Sequence, residues 1–353
     1  MIIGTSCASP ENTRPIVLIG AGGIVNDAHL PAYKIAGFPV EGIYDIDTAK
    51  ARHTAAKFDI PQVYDDMSIL LSRVPGNAIF DVAVPGSAIL SVLKQLPKHS
   101  VVLMQKPMGE DYEMAKEILD VTRRMQMTAG VNFQLRYAPF VIAARNIIKE
   151  GWIGELCDIE VNVNVYTPWH LWDFLRATPR VEILYHSIHY IDLVRSFLGN
   201  PESIYAKTIG HPAMAELASV RSNIIMDYGN RVRANILTNH CHDFGLTHQQ
   251  SYIKFEGMRG AIIAKLGVLI NYPQGIPDSF EYVFLEKGKA PAWQTLDIAG
   301  SWFPHAFIGT MAQMMIAAEG DHPPEISVED CIHTMACVEA AYQSSAAGGI
   351  RPV

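Results

Sequence analysis

The stretch from Ile16 to Tyr33, IVLIGAGGIVNDAHLPAY, decides how the N-terminal part of this chain is read. The apolar run Ile16-Val17-Leu18-Ile19 has the length and composition of a strand buried on both faces. It runs into Gly20-Ala21-Gly22-Gly23, and a helical segment follows. Gly20 permits a sharp turn, and Gly22 lets the backbone approach a ligand closely. Amides at the start of the next helix then face outward, where they suit a pyrophosphate. A second short strand, Gly42-Ile43-Tyr44, ends at Asp45. A carboxylate there can accept hydrogen bonds from both hydroxyls of an adenosine ribose. Strand, glycine turn, helix and acid in this order point to dinucleotide binding. Val25 stands where the fingerprint prefers Gly or Ala, so the helix is expected slightly further from the strand. Asp45 would repel a ribose 2′-phosphate, and the run Asp45-Ile46-Asp47 offers no arginine, which favours NAD over NADP.

Outward from this turn the alternation continues. Apolar runs at Ala78–Val84, Val101–Met104 and Ala129–Asn132 alternate with helical stretches at Thr48–Phe58, Ser87–Gln95 and Tyr112–Met125. This pattern predicts a parallel sheet with helices on both faces, and ligands bind at the carboxyl ends of such strands. Gly20, Asp45, Pro85, Lys106 and Asn132 each follow a strand and should gather there. Beyond residue 136 the pattern changes. A helix, Pro139–Glu150, precedes Asp158–Tyr166, which alternates strictly between polar and apolar residues. Further strands are expected at Ser203–Thr208, Ser222–Tyr228, Arg231–Thr238, Ser251–Phe255, Ala261–Lys265, Val268–Tyr272 and Glu281–Leu285, with Gly229-Asn230 as a hairpin turn. The expected architecture is α/β plus α+β. A loose arm covers residues 1–14, a Rossmann parallel sheet 15–135, and a domain with an open, mostly antiparallel sheet 136–353. The exposed face of that sheet calls for a covering partner, so a homodimer or homotetramer is expected.

Composition narrows the function classes. With 353 residues the chain can build two cores, and 49% hydrophobic residues against 18% charged suits a compact protein. The net charge of −8 and the absence of a basic block argue against nucleic acid or an anionic membrane surface as partner. No segment has the roughly twenty uncharged apolar residues of a membrane helix. The N-terminus does not read as a signal peptide. Five cysteines without a CxxC pair fit a reduced, cytoplasmic protein.

Two segments carry residues suited to proton transfer. Gln105-Lys106-Pro107 presents a lysine at the strand edge, and a buried lysine with depressed pKa can accept a proton from an alcohol. In the helix Val181–Leu198, closed by Gly199, Tyr185, His189, Asp192 and Ser196 recur at spacings that place them on one polar stripe. His189 is suited to a proton relay. Arg136, Trp169, Trp172, His186, His240 and His242 are candidate substrate contacts, the indoles because their faces stack on sugar rings. His240, His242 and His248 have zinc-ligand side chains, but substrate contacts or satisfied surface histidines account for them better, and no metal is expected.

Taken together these marks resemble the Gfo/Idh/MocA oxidoreductases, over nearly the whole chain from Ile16 to Val353. The resemblance rests on Gly20-Ala21-Gly22-Gly23-Ile24, Asp45, Val84-Pro85, Gln105-Lys106-Pro107, Asn132-Phe133-Gln134-Leu135-Arg136-Tyr137, Glu150-Gly151-Trp152-Ile153-Gly154 and His189-Tyr190-Ile191-Asp192. It implies NAD(P)-dependent oxidation of a hydroxyl on a sugar, sugar acid or cyclic polyol, or the reverse reduction. It also implies a cofactor site of Gly20, Gly22, Gly23, Ile24, Asp45, Val84, Pro85, Gln105, Lys106 and Asn132. Lys106 matches the family's catalytic lysine and His189 its histidine. Two positions depart: Gln105 replaces a glutamate, and Tyr185 stands where an acid is usual one turn before the histidine. A Lys106/Tyr185/His189 relay remains open to a phenol. The missing acid also admits a non-catalytic nucleotide or ligand sensor, or redox-neutral elimination or hydrolysis with bound NAD.

Overall fold

The computed structural model describes residues 3–320 and 322–352. Residues 1, 2, 321 and 353, including the start of the expected N-terminal arm, lie outside the described residues. The fully apolar run β1 (Ile16–Ile19) is buried throughout and pairs in parallel with β2 (Val40–Tyr44) on one side and β4 (Ile79–Val82) on the other. With β3 (Gln62–Tyr64), β5 (Val101–Met104) and β6 (Thr128–Val131), these form a six-stranded parallel sheet of order β3-β2-β1-β4-β5-β6. The order reverses at β1, which puts the crevice for a ligand beyond the carboxyl ends of β1 and β4.

The connecting helices are α1 (Leu30–Ala36), α2 (Thr48–Phe58), α3 (Met67–Arg73), α4 (Gly86–Leu93) and α5 (Tyr112–Arg124). Three of them begin at aspartates whose carboxylates accept from first-turn amides: Asp47 from Ala49 and Lys50, Asp66 from Ile69 and Asp111 from Met114. Strand β3 and helix α3 were not anticipated. Asp66, three residues before Ile69, was the local signal for α3.

The second sheet has eight strands in the order β14-β13-β12-β11-β7-β10-β9-β8. Its members are β7 (Leu156–Asn164), β8 (Ser203–Ile209), β9 (Arg221–Asp227), β10 (Arg233–Asn239), β11 (Gln250–Gly257), β12 (Gly260–Lys265), β13 (Ser279–Phe284) and β14 (Gln294–Thr295). All neighbours are antiparallel except β7 and β10. The hairpin between β9 and β10 turns at Gly229, as expected, with φ of 76°. Alternation sends Ile159, Val161, Val163, Ile224, Ile236, Ile253 and Phe255 into the core, while Tyr205, Ile225 and Leu237 stay exposed on the other face. The strand expected at Val268–Tyr272 does not form. Gly267–Leu269 is a 3₁₀ turn, and Asn271 takes a left-handed φ of 60°, which ends any extended run there.

Helices α6 (Pro139–Lys149) and α7 (Ile188–Leu198) belong with this sheet. Further on, α8 (Ala306–Glu319) and α9 (Val328–Ala347) follow. Helix α8 was not anticipated, because AFIGTMAQMMIAAE is apolar on nearly every side and has no clear amphipathic period. The two compact units are interleaved rather than consecutive. One contains 7–138 and 303–335, the other 3–6, 139–302 and 336–352. The boundary drawn at 135/136 is therefore crossed a second time, when the chain returns to the parallel-sheet unit with α8. Within that unit Gly309 of α8 meets Tyr137, where an added Cβ would fall 2.4 Å from the tyrosine Cβ.

Candidate functional site

The glycine turn sits at the carboxyl end of β1. Gly20 has φ of 114°, and a Cβ there would lie 2.3 Å from the Ala83 carbonyl, so only glycine fits. A Cβ at Gly22, in contrast, would meet nothing within 4 Å. Gly22 and Gly23 are exposed, and the helix that follows opens with a π-helical turn, Val25–His29, before α1. That local widening occurs where Val25 replaces a small residue, and Val25 is fully buried. Asp45 is half-buried, and its carboxylate accepts the Ala21 amide at 2.7 Å and the Asp47 amide at 2.8 Å. Each carboxylate oxygen keeps a second lone pair. Ile46 beside it is 91% exposed. An open glycine cradle, a fixed carboxylate and an exposed apolar side chain next to it suit a dinucleotide. Val84 and Pro85 follow β4 and lead into α4.

At the carboxyl end of β5, the Gln105 side-chain carbonyl accepts the Lys106 amide at 3.0 Å. Burial pushes the Lys106 ammonium down to a pKa of about 8. At the end of β6, Asn132 is buried and hydrogen-bonds His29, and its Oδ1 has no partner among the described residues. His29 and Asp81, both fully buried, are residues the sequence reading missed. The available signals were an aspartate inside the apolar run Ala78–Val84 and a histidine in the first helix.

In the other unit the expected single helix Val181–Leu198 is two pieces, a π-helical segment Ile183–Ser187 and α7. Tyr185 and His186 fall in the π segment and His189 in α7. Tyr185 and His189 are buried, and the Trp302 ring meets His189 edge-on at 5.4 Å. The far end of the expected polar stripe is structural: Arg145 donates to the Ser196 carbonyl and hydroxyl, both at 3.0 Å.

Four expected substrate contacts do come together here. The Trp169 ring lies 4.8 Å from His186, 5.4 Å from His240 and 6.5 Å from Trp172, centroid to centroid. Trp172 in turn leans on Tyr272. His240 is fully buried and braces the cluster. Its Nδ1 pairs with the Thr167 hydroxyl at 2.9 Å, and its Nε2 lies 3.4 Å from Glu182. Glu182 also accepts from the hydroxyls of Ser187 and Ser222. Burial acts to raise the Glu182 pKa, but the His240 bond and charge and the two hydroxyls hold it below the usual range. Glu182 was missed because two of its partners, Ser222 and His240, lie far away in the chain. His242 is half-buried, with its Nδ1 3.3 Å from the Asn164 amide and its ring against Phe244. Among the described residues His240, His242 and His248 form no metal-ligand cluster.

Arg136 has structural partners. It is buried in the parallel-sheet unit, where it donates to the Glu325 carbonyl at 2.9 Å and to Asp330 at 2.6 Å. These bonds clamp the returning segment to the unit.

Comparison with known proteins agrees with the two-sheet fold. Residues 14–133 match the model of an oxidoreductase family with an NAD-binding Rossmann fold, and residues 141–263 match the GFO/IDH/MocA C-terminal domain. The chain is 23% identical over 334 residues to 1,5-anhydro-D-fructose reductase of Ensifer adhaerens, covering 94% of this chain and 96% of that protein. It is 22% identical over 341 residues to D-apiose dehydrogenase of Rhizobium rhizogenes, covering 94% and 95%. Among solved structures, an oxidoreductase from Agrobacterium radiobacter in complex with NAD+, L-tartaric acid and magnesium superposes with a TM-score of 0.77 at 20% identity, covering 95% of this chain and 97% of that one.

Proposed function

Because the chain belongs to the Gfo/Idh/MocA oxidoreductase family, we propose that it is an NAD-dependent dehydrogenase acting on a hydroxyl of a sugar, sugar acid or cyclic polyol, or catalysing the reverse reduction. The observation that carries this reading is Lys106. It stands on the same sheet edge as the Gly20 turn and Asp45, with an amine whose proton affinity burial has lowered toward neutrality. The named sugar reductase and dehydrogenase among the relatives support the substrate class. Gly20, Gly22, Gly23 and Ile24 would hold the pyrophosphate, Asp45 the adenosine ribose, and Val84, Pro85, Gln105 and Asn132 the nicotinamide end. The Asp45 carboxylate favours NAD over NADP by repelling a 2′-phosphate.

When bound, the nicotinamide ring supplies the hydride acceptor. The protein supplies the base: Lys106 as the neutral amine takes the hydroxyl proton as the carbinol C–H bond breaks. In reduction the ammonium returns that proton. His189, with Tyr185 one turn before it, passes the proton on toward water. Trp169, Trp172 and His186 hold the sugar. A second copy of the chain covering the exposed face of the second sheet, and a reducing cytoplasmic setting for the five free cysteines, complete the reading.

The test is the absorbance of reduced nicotinamide with NAD or NADP and a panel of sugars, sugar acids and inositols. Lys106→Ala is expected to lower turnover by about 10²–10⁴-fold while NADH still binds. Burial disfavours the ammonium, so the active amine gains population as pH rises. Oxidation should therefore speed up through a pH of about 8 and level off above it. Turnover by Lys106→Ala at the wild-type rate would overturn the assignment. Silence across the panel from a protein that binds NADH would favour a sensor.

A further inference from the structure

Beneath the lysine loop lies a hydrogen-bond chain centred on His29 and Asp81, two residues that the proposed chemistry does not use. His29 ends the π-helical turn after the glycine cradle and is fully buried. Its Nδ1 lies 2.7 Å from Asp81 Oδ2, which also accepts the Tyr33 hydroxyl at 2.7 Å. Its Nε2 lies 3.3 Å from two side-chain amide nitrogens, those of Gln105 and Asn132. The Phe307 ring closes another side, with centroids 4.9 Å apart.

The proton positions follow from one fixed point. The Lys106 backbone N–H can only donate, and it points at Gln105 Oε1 at 3.0 Å. Reversing the Gln105 amide would set its NH₂ against that N–H. The amide orientation is therefore set, and Gln105 presents an N–H donor to His29 Nε2. An imidazolium, or a neutral ring protonated at Nε2, would place N–H against N–H there. Nε2 must carry the lone pair, so the proton sits on Nδ1 and is donated to Asp81. Asn132 fits the same assignment, because in the other orientation its oxygen would face that lone pair.

We propose that His29 is a positioning residue for the lysine loop: fixed by Asp81 as the neutral Nδ1–H tautomer, it accepts from Gln105 and Asn132 and so turns the Gln105 carbonyl onto the Lys106 amide. The proposal rests on Lys106 being the acid/base group. It also gives residue 105 a chemical reason to be an amide. A carboxylate has no donor for Nε2, so at that position it would draw a second proton onto the ring and place an imidazolium between two acids.

The test uses full-length protein and long-range proton–nitrogen NMR correlations of His29 without substrate or turnover. The wild type is expected to show the neutral Nδ1–H tautomer with an unprotonated Nε2. Gln105→Glu is expected to convert His29 to the imidazolium. With the substrate found in the panel, His29→Phe should lower kcat by about 10- to 100-fold. His29→Gln, whose carbonyl can accept from both amides while its NH₂ donates to Asp81, should recover most of that loss. An Nε2–H tautomer or an imidazolium in the wild type would overturn the proposal, and so would wild-type kcat in a folded His29→Phe. If His29→Phe does not fold, the wild-type and Gln105→Glu spectra still decide it. The spectra need no turnover, so failure of the Lys106 assignment would appear separately in Lys106→Ala.

Discussion

Among the described residues, each unit of this protein buries a histidine–carboxylate pair, and these two pairs are built differently. His29 and Asp81 lie in the parallel-sheet unit, and His240 and Glu182 lie in the other. All four are shut off from solvent. The free nitrogen of His29 faces two amides, which have fixed donor and acceptor ends. His240 and Glu182 are surrounded by the hydroxyls of Thr167, Ser187 and Ser222, each of which can rotate to donate or accept. The amides present a fixed arrangement of donors, whereas the hydroxyls can turn either way. We read the first pair as setting direction at the carboxyl ends of β5 and β6, and the second as bracing the Trp169–His186–His240 ring cluster.

The largest effect that would break this comparison is expected at Glu182. Both of its oxygens are engaged, and Glu182→Ala would leave the buried Ser187 hydroxyl without its acceptor, take one of two acceptors from Ser222 and remove the carboxylate 3.4 Å from His240 Nε2. Removing one partner of a buried pair costs ~3–5 kcal/mol. Chemical denaturation followed by circular dichroism should show a loss of that size. A loss no larger than that of an ordinary surface substitution would mean that hydroxyls alone can hold the cluster.

The two pairs also differ from the motifs in how far the sequence discloses them. Gly20, Asp45 and Lys106 were legible because the first two directly follow an apolar run and Lys106 follows one by two residues, and the topology of a parallel sheet then places them on one edge. The His29–Asp81 pair was not, because it depends on β4 pairing with β1 in a register that sets Asp81 beside Leu18, 52 residues from its partner histidine. Glu182 and His240 are separated by 58 positions, the difference of their numbers. Arg136 looked free in the sequence, and its acceptor Asp330 lies 194 residues away. The polar stripe of Tyr185, His189, Asp192 and Ser196 assumed a regular 3.6-residue period, which the π segment at Ile183–Ser187 breaks. Helix α8 was hidden for the opposite reason, since an all-apolar helix has no period to read.

A smaller effect is expected at Asp81. Asp81 Oδ2 takes both donors, and Oδ1 has no partner among the described residues, so the pair is less fully satisfied than Glu182. Burial, together with the Asp81 charge and hydrogen bond, raises the Tyr33 hydroxyl well above its usual range, so it stays a donor. Asp81→Asn keeps one oxygen able to accept from His29 or Tyr33 and loses the charge. The expected cost is ~1.5–3 kcal/mol, the range for a hydrogen bond to a charged group. If Asp81→Asn costs as much as Glu182→Ala, the contrast between the two environments fails.

The smallest effect tests what the second pair supports. Trp169 is buried, and its indole Nε1 has no hydrogen-bond partner among the described residues. A buried indole N–H ordinarily finds one, and under the proposed function a substrate hydroxyl supplies it. Trp169→Phe keeps an aromatic ring against His186 and His240, removes that donor and trims part of the buried ring, so some stability is lost with it. The KM for the sugar should rise by roughly 2- to 10-fold, as expected for losing one neutral hydrogen bond, with kcat nearly unchanged because the bond is made in ground state and transition state alike. An unchanged KM would place the indole in the packing of the cluster alone, and the bracing role of His240 would then end at the fold and not reach the substrate.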